Sequence, residues 1–156
     1  MKFKFTIFVI FLTISCLAEA FWSDCPGSNV PGPDDIVSPN CSGDRCRAVR
    51  GESLIARIYA TPQAVHHELI ARVTAFVFGI GINLPMQPPF DNACNQIHFA
   101  NDTLTSCPVY PNIQYVMNVE MQVSSLFPAF TNTLVQVDFW DGNQRAACGQ
   151  IIADLI

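Results

Sequence analysis

Between Ile113 and Val123 the chain alternates almost strictly. Tyr115, Met117, Val119, Met121 and Val123 fall on one parity, with Gln114, Val116, Asn118, Glu120 and Gln122 on the other. A period of two belongs to an extended strand, whose successive side chains point to opposite faces, one of them buried and one wet. Leu134 to Trp140 repeats the device, with Val135, Val137 and Phe139 against Gln136 and Asp138. Asp141-Gly142 follows as a hairpin signal, and Gln144 to Ala153, carrying Cys148, reads as the returning strand. Ser53 to Ala60 is a further strand, while Trp22 to Asn40, punctuated by four Pro and two Gly, is mostly turn with room for a short edge strand.

The longest apolar segment, Glu68 to Leu84, reads as one strand. Phe76, Phe78, Ile80, Ile82 and Leu84 share one parity and are bulky, whereas Ala75, Val77, Gly79, Gly81 and Asn83 share the other. A helix would scatter the large groups; a strand gathers them on one side, expected to face inward. Gly79 and Gly81 add the expectation of a bend or bulge. Short strands between Pro- and Gly-rich turns, with no amphipathic helix, predict an all-β sandwich.

The 156 residues suit one domain. Lys2 and Lys4, an apolar run from Phe5 to Leu17 and Ala18-Glu19-Ala20 form the pattern of a secretory signal peptide, so residues 1–20 are expected to be removed, leaving 21–156 as a single domain. The run is too short for the ~20 residues that span a bilayer. The remainder has no Lys, and six Arg against twelve Asp and Glu give a formal charge of −6. That balance repels a phosphate backbone, so no nucleic-acid partner is expected.

Six cysteines remain beyond the leader: Cys25, Cys41, Cys46, Cys94, Cys107 and Cys148. An even number behind a signal peptide reads as disulfides, for which fifteen pairings exist. Spacing favours a tight Cys41/Cys46 loop, a medium Cys94/Cys107 loop and a Cys25/Cys148 tie between the ends. No C-x-x-C pair and only three His argue against zinc, and no metal or cofactor is expected.

Catalytic patterns are absent too. His67-Glu68 begins an H-E-x-x-H, but Ala71 holds the second His position; Gly79-x-Gly81 does not continue to a phosphate loop, and there is no G-x-S-x-G. His66, His67 and His98 read as loop or edge residues, and the chain is not expected to be an enzyme. Asn40-Cys41-Ser42 and Asn101-Asp102-Thr103 are glycosylation sequons. What remains is the apolar interior, where two facing sheets either interdigitate into a solid core or splay around a slot. Met117 and Met121 suit an adaptable slot, and periodicity does not decide between the two.

Several short stretches together resemble a known family. They are Asp24-Cys25, Cys41-x4-Cys46, Arg50-Gly51-Glu52-Ser53, Leu84-Pro85-Met86 leading to Cys94, Cys107-Pro108-Val109, Phe127-Pro128 and Cys148. In this order they resemble the ML-domain (lipid-recognition) proteins of the Niemann–Pick C-two type, over essentially the whole chain beyond the leader. The resemblance implies an immunoglobulin-like sandwich of about seven strands, disulfides Cys25–Cys148, Cys41–Cys46 and Cys94–Cys107, and an internal apolar cavity between splayed sheets. It implies that Leu84, Val123 and Phe127 hold the pocket-guarding places. Phe76, Phe78, Ile80, Ile82, Tyr115, Met117 and Met121 join them on the matching parity, and Val137 takes the place of a family Trp.

The resulting expectation is a secreted monomeric carrier, extracellular or in the lysosomal lumen. It would bind a fatty acid, sterol or semiochemical and meet a membrane or receptor at delivery. Recognition of microbial lipid in immunity and a solid-cored adhesion module are the alternatives.

Overall fold

The computed structural model describes residues 21–156 except Gln87. The expected leader, residues 1–20, lies outside the described residues. Eleven strands form among these: β1 (Trp22–Asp24), β2 (Asp35–Val37), β3 (Cys41–Ser42), β4 (Arg45–Ala48), β5 (Ser53–Ala60), β6 (Ile70–Val77), β7 (Ile80–Leu84), β8 (Ile97–Phe99), β9 (Tyr115–Gln122), β10 (Phe130–Asp141) and β11 (Gln144–Leu155). One sheet runs β3-β4-β11-β10-β6-β7 with β1 added beside β11, and the other runs β2-β5-β9-β8. Six strands have five or more residues, and the other five have two to four. The architecture is thus the expected all-β sandwich.

Alternation sets which side chains meet. On β9, Tyr115, Met117, Val119 and Met121 pair in register with Ala60, Ile58, Ala56 and Leu54 of β5. On β10, Val135, Val137 and Phe139 pair with Ala75, Val73 and Ala71 of β6 and with Ile151, Gly149 and Ala147 of β11. These two sets are the inner faces. Two buried clusters mark the ends of the space between them. Ala48, Val123 and Leu155 pack with Leu54, Phe127 and Phe130, and Ile97, Val109 and Tyr115 pack with Leu69, Cys107 and Met117.

The segment 68–84 is not one strand. Val77 pairs with Ile80 around a two-residue turn at Phe78-Gly79, whose φ values are both positive (52° and 79°). That is the condition of the tight hairpin turn whose twist matches the flanking strands, and Gly79 meets it without strain. The turn has two consequences. Phe78 is fully exposed at the hairpin tip. Parity also changes across it, so on β6 it is the small set, Ala71, Val73 and Ala75, that is buried, while Arg72 is exposed and Phe76 shares its outward side. Ile80, Ile82 and Leu84 return to the inner side by pairing with Val77, Ala75 and Val73. The bulky residues therefore do not form one inner face.

The disulfides are Cys25–Cys148, Cys41–Cys46 and Cys94–Cys107. The first joins the residue after β1 to the middle of β11. The third ties the 3-10 turn Ala93–Asn95 to the loop before Val109.

Candidate ligand-binding site

At the β8 end the sheets leave a cavity of about 70 Å³. Ile58 and Ala60 of β5 and Tyr115 and Met117 of β9 form one wall, and Phe139 of β10 with Ala146 and Ala147 of β11 forms the other. Leu69, Ala93, Ile97 and Val109 close the end, with Pro31, Gly32, Thr61, Pro62 and His66 around them. Where alternation puts alanine inside, the opposing sheet has nothing long to meet, and space results. A second groove, about 410 Å³, lies mainly on the outer side of β6, β7 and β10 among Arg72, Thr74, Asn83, Gln136, Trp140 and Arg145, with Leu84 at its edge. Its many polar groups make it a poor surface for a lipid.

Beyond the cavity, the inner faces are not fully closed. Val119, Met121, Val135, Val137 and Ile151 all point inward yet are only half-buried. At the β7 edge, Ile80 and Ile82 have the inward parity and remain exposed, so no side chain of the other sheet covers them.

Of the residues singled out from sequence, Tyr115 and Met117 line the cavity. Val137 and Met121 lie further along the inner faces, and Val123 and Phe127 sit in the packed cluster at the far end. Leu84 is half-buried where β7 meets the outer groove. Phe76 and Phe78 are not brought to the cavity: the first faces outward, and the second is at the turn.

His66, read from sequence as a loop or edge residue, is instead buried at 6% exposure. It bridges to Val109 through two backbone hydrogen bonds, at 3.1 and 2.9 Å. Its Nδ1 lies 3.4 Å from Oδ2 of Asp141, which also accepts from the His67 N–H at 3.0 Å. That N–H, and to a lesser degree His66, holds the Asp141 carboxyl below the usual carboxylate range against the opposing effect of burial. Nothing in the flanking residues distinguishes His66 from His67. The small residues Ala60, Ala146 and Ala147, which line the cavity, are the one sequence signal that points to room at this end.

Asp138 stays on the outer side, as alternation requires, but it is buried all the same. Arg145 Nε lies 3.0 Å from its Oδ1, and Gln136 Nε2 donates to its Oδ2 at 2.9 Å. Gln150 Nε2 in turn donates to Gln136 Oε1 at 2.9 Å, and the Arg72 and Arg145 guanidiniums flank the Trp140 ring at 4.7 and 5.3 Å. Asp138 also lies beside Cys25 and Cys148, but those sulfurs are joined in a disulfide and offer no thiolate to a metal.

An open sandwich with an apolar gap between its layers is the architecture of a β-sheet container for greasy molecules. The model of the ML domain matches residues 19–155, and the chain belongs to that family, one of lipid-binding carriers in general. Comparison with curated protein sequences finds no match. Among solved structures the chain is similar to a Niemann-Pick type C2 protein from the Japanese carpenter ant, at 18% identity and a TM-score of 0.72. The similarity covers 86% of this chain and 98% of that one. At that identity the likeness establishes the fold. Among the described residues no helix is long and apolar enough to cross a membrane.

Proposed function

We propose that the protein is a secreted, non-enzymatic carrier that holds one hydrophobic small molecule, a fatty acid, sterol or semiochemical, between its two sheets. The observation that carries this reading is the apolar cavity, continued by half-buried inward side chains on β9, β10 and β11. A monomeric sandwich whose facing apolar side chains stay half-wet gains from any apolar guest that covers them, at roughly 25 cal/mol per Å² removed from water.

The cavity at about 70 Å³ is well below the roughly 300–1,000 Å³ of common small-molecule sites. Uptake therefore requires the sheets to part, with Met117 and Met121 adapting to the guest. The three disulfides and the long β10–β11 ladder hold the fold while the interior opens. In this reading Leu84, Val123 and Phe127 yield to admit the guest rather than line a standing cavity.

The leader 1–20 directs the chain to an extracellular or lysosomal space. There Asn101, exposed beside β8, is the accessible glycan acceptor. Asn40 is half-buried, and its Oδ1 already accepts from the Ile55 N–H at 2.9 Å. With no Lys beyond the leader, delivery by attraction to anionic membranes is disfavoured, and handover to a receptor fits the acidic surface better.

Mass spectrometry of an organic extract of the native secreted protein, followed by displacement of a fluorescent fatty acid and a fluorescent sterol, tests the reading. A co-purifying lipid that displaces a probe is the expected result. A clean extract and no displacement by any lipid would leave a solid-cored interaction module.

A further inference from the structure

We infer that His66 receives the polar end of the bound molecule, so that the guest is an apolar body bearing a single hydroxyl or carboxyl group rather than a bare hydrocarbon. The inference rests on the carrier reading and adds to it the chemistry of the ligand's head. Three side chains around the cavity carry a polar atom: Thr61, His66 and Tyr115. Two already make one hydrogen bond each: the Thr61 hydroxyl donates to Asp34 Oδ2 at 2.7 Å, and the Tyr115 hydroxyl accepts from the Tyr110 N–H at 3.0 Å.

His66 differs from both. Its backbone is spent on Val109, and its Nδ1 faces Asp141. Nε2, across the ring, makes no hydrogen bond among the described residues, and His66, 6% exposed, lines the cavity. Buried polar groups are almost always paired, and one left open on an apolar cavity wall is a place for a ligand atom.

The neighbouring carboxylate decides what that atom is. Asp141, itself fixed by the His67 N–H, lies 3.4 Å from Nδ1 and favours a proton there. In the neutral ring Nε2 is then a lone-pair acceptor, suited to the O–H of an alcohol, a sterol or an undissociated acid; in the charged ring it donates to a carboxylate. A hydrocarbon would leave it unpaired.

Dodecane, dodecan-1-ol and dodecanoic acid share a tail and differ only at the head. Their displacement of an uncharged fluorescent hydrophobe, on the wild-type protein and on His66→Phe and His66→Gln, tests the inference. The wild type is expected to prefer the alcohol or the acid to dodecane by about tenfold, the worth of one buried hydrogen bond. His66→Phe should bring the three within about twofold of one another while keeping dodecane binding, and His66→Gln should retain part of the preference. Equal binding of all three by the wild type, or a preference that survives in His66→Phe, overturns the role of His66 and leaves the carrier reading standing. Failure of the wild type to bind any of them removes the carrier reading instead. Should His66→Phe not fold, the wild-type series and His66→Gln still decide.

Discussion

Ala60→Leu is the substitution that most directly sets the empty interior against the occupied one. Ala60 ends β5, pairs with Tyr115 and lines the cavity. Three added carbons there would fill much of it. Cavity volume costs on the order of 24 cal/mol per Å³, so closing about 70 Å³ returns up to about 1.7 kcal/mol to the lipid-free protein. For a chain of this length that corresponds to a rise of roughly 3–7 °C in Tm. Lipid uptake should fall in the same variant, because the Leu side chain occupies the guest's space. The assay is thermal unfolding of delipidated protein alongside displacement of a fluorescent fatty acid. A more stable protein that binds lipid as before would show that guests lodge elsewhere. A loss of about 1–3 kcal/mol, the usual cost of overpacking, would show that the space is not there to be filled.

Other perturbations test separate parts of the structure. Phe78→Asn relieves a bulky residue from the left-handed conformation at the hairpin tip, and should raise the unfolding free energy measured in urea by up to about 1 kcal/mol; a decrease would mean that Phe78 makes stabilising contacts. Replacing Cys25 and Cys148 together by Ser should cost about 5 kcal/mol in the chain-entropy account, against about 2 for the Cys41/Cys46 pair, because the closed loops span 123 and 5 residues. Unfolding midpoints of the two variants give the comparison, and equal losses would contradict it. Asp141 has its carboxyl lowered in the folded state, mainly by the His67 N–H. Such a group stabilises the fold above the unfolded pKa of about 4 and loses that contribution as pH falls through the lower folded value. Asp141→Asn should therefore flatten the fall of stability below about pH 4, as measured by urea unfolding across pH.

The long strands were legible because one of their faces is wet. Ser53–Ala60 coincides with β5, the alternating run from Tyr115 runs through β9, and Leu134–Trp140 lies within β10, with Asp141-Gly142 opening the turn to β11. The disulfides followed from spacing and from family resemblance together. The hairpin at Phe78-Gly79 leaves no mark in the sequence pattern, because alternation continues unbroken in number across a two-residue turn although the side of the sheet changes. Alternation also reports which residues share a side, not which side is inside. Bulk points to Phe76 as the inner set on β6, whereas Ala71 and Ala75 are inside, and space between the sheets depends on their being small. Asp138 shows the converse, a charge on the outer side that Arg145 and Gln136 nevertheless bury. The strands β3, β4 and β8, two to four residues each, are too short to show a period. His66 has no signature at all, since its burial comes from pairing with Val109, forty-three positions away.

Photo-crosslinking with a fatty acid carrying a diazirine along its chain, mapped by peptide sequencing, asks most directly whether the guest lies between the layers. Labels are expected on inward residues of both sheets, Met117 or Val119 of β9 together with Val137, Phe139 or Ile151 of β10 and β11. Labels confined to the outward residues Arg72, Thr74, Gln136 and Trp140, or to the exposed Phe78 tip, would contradict the account.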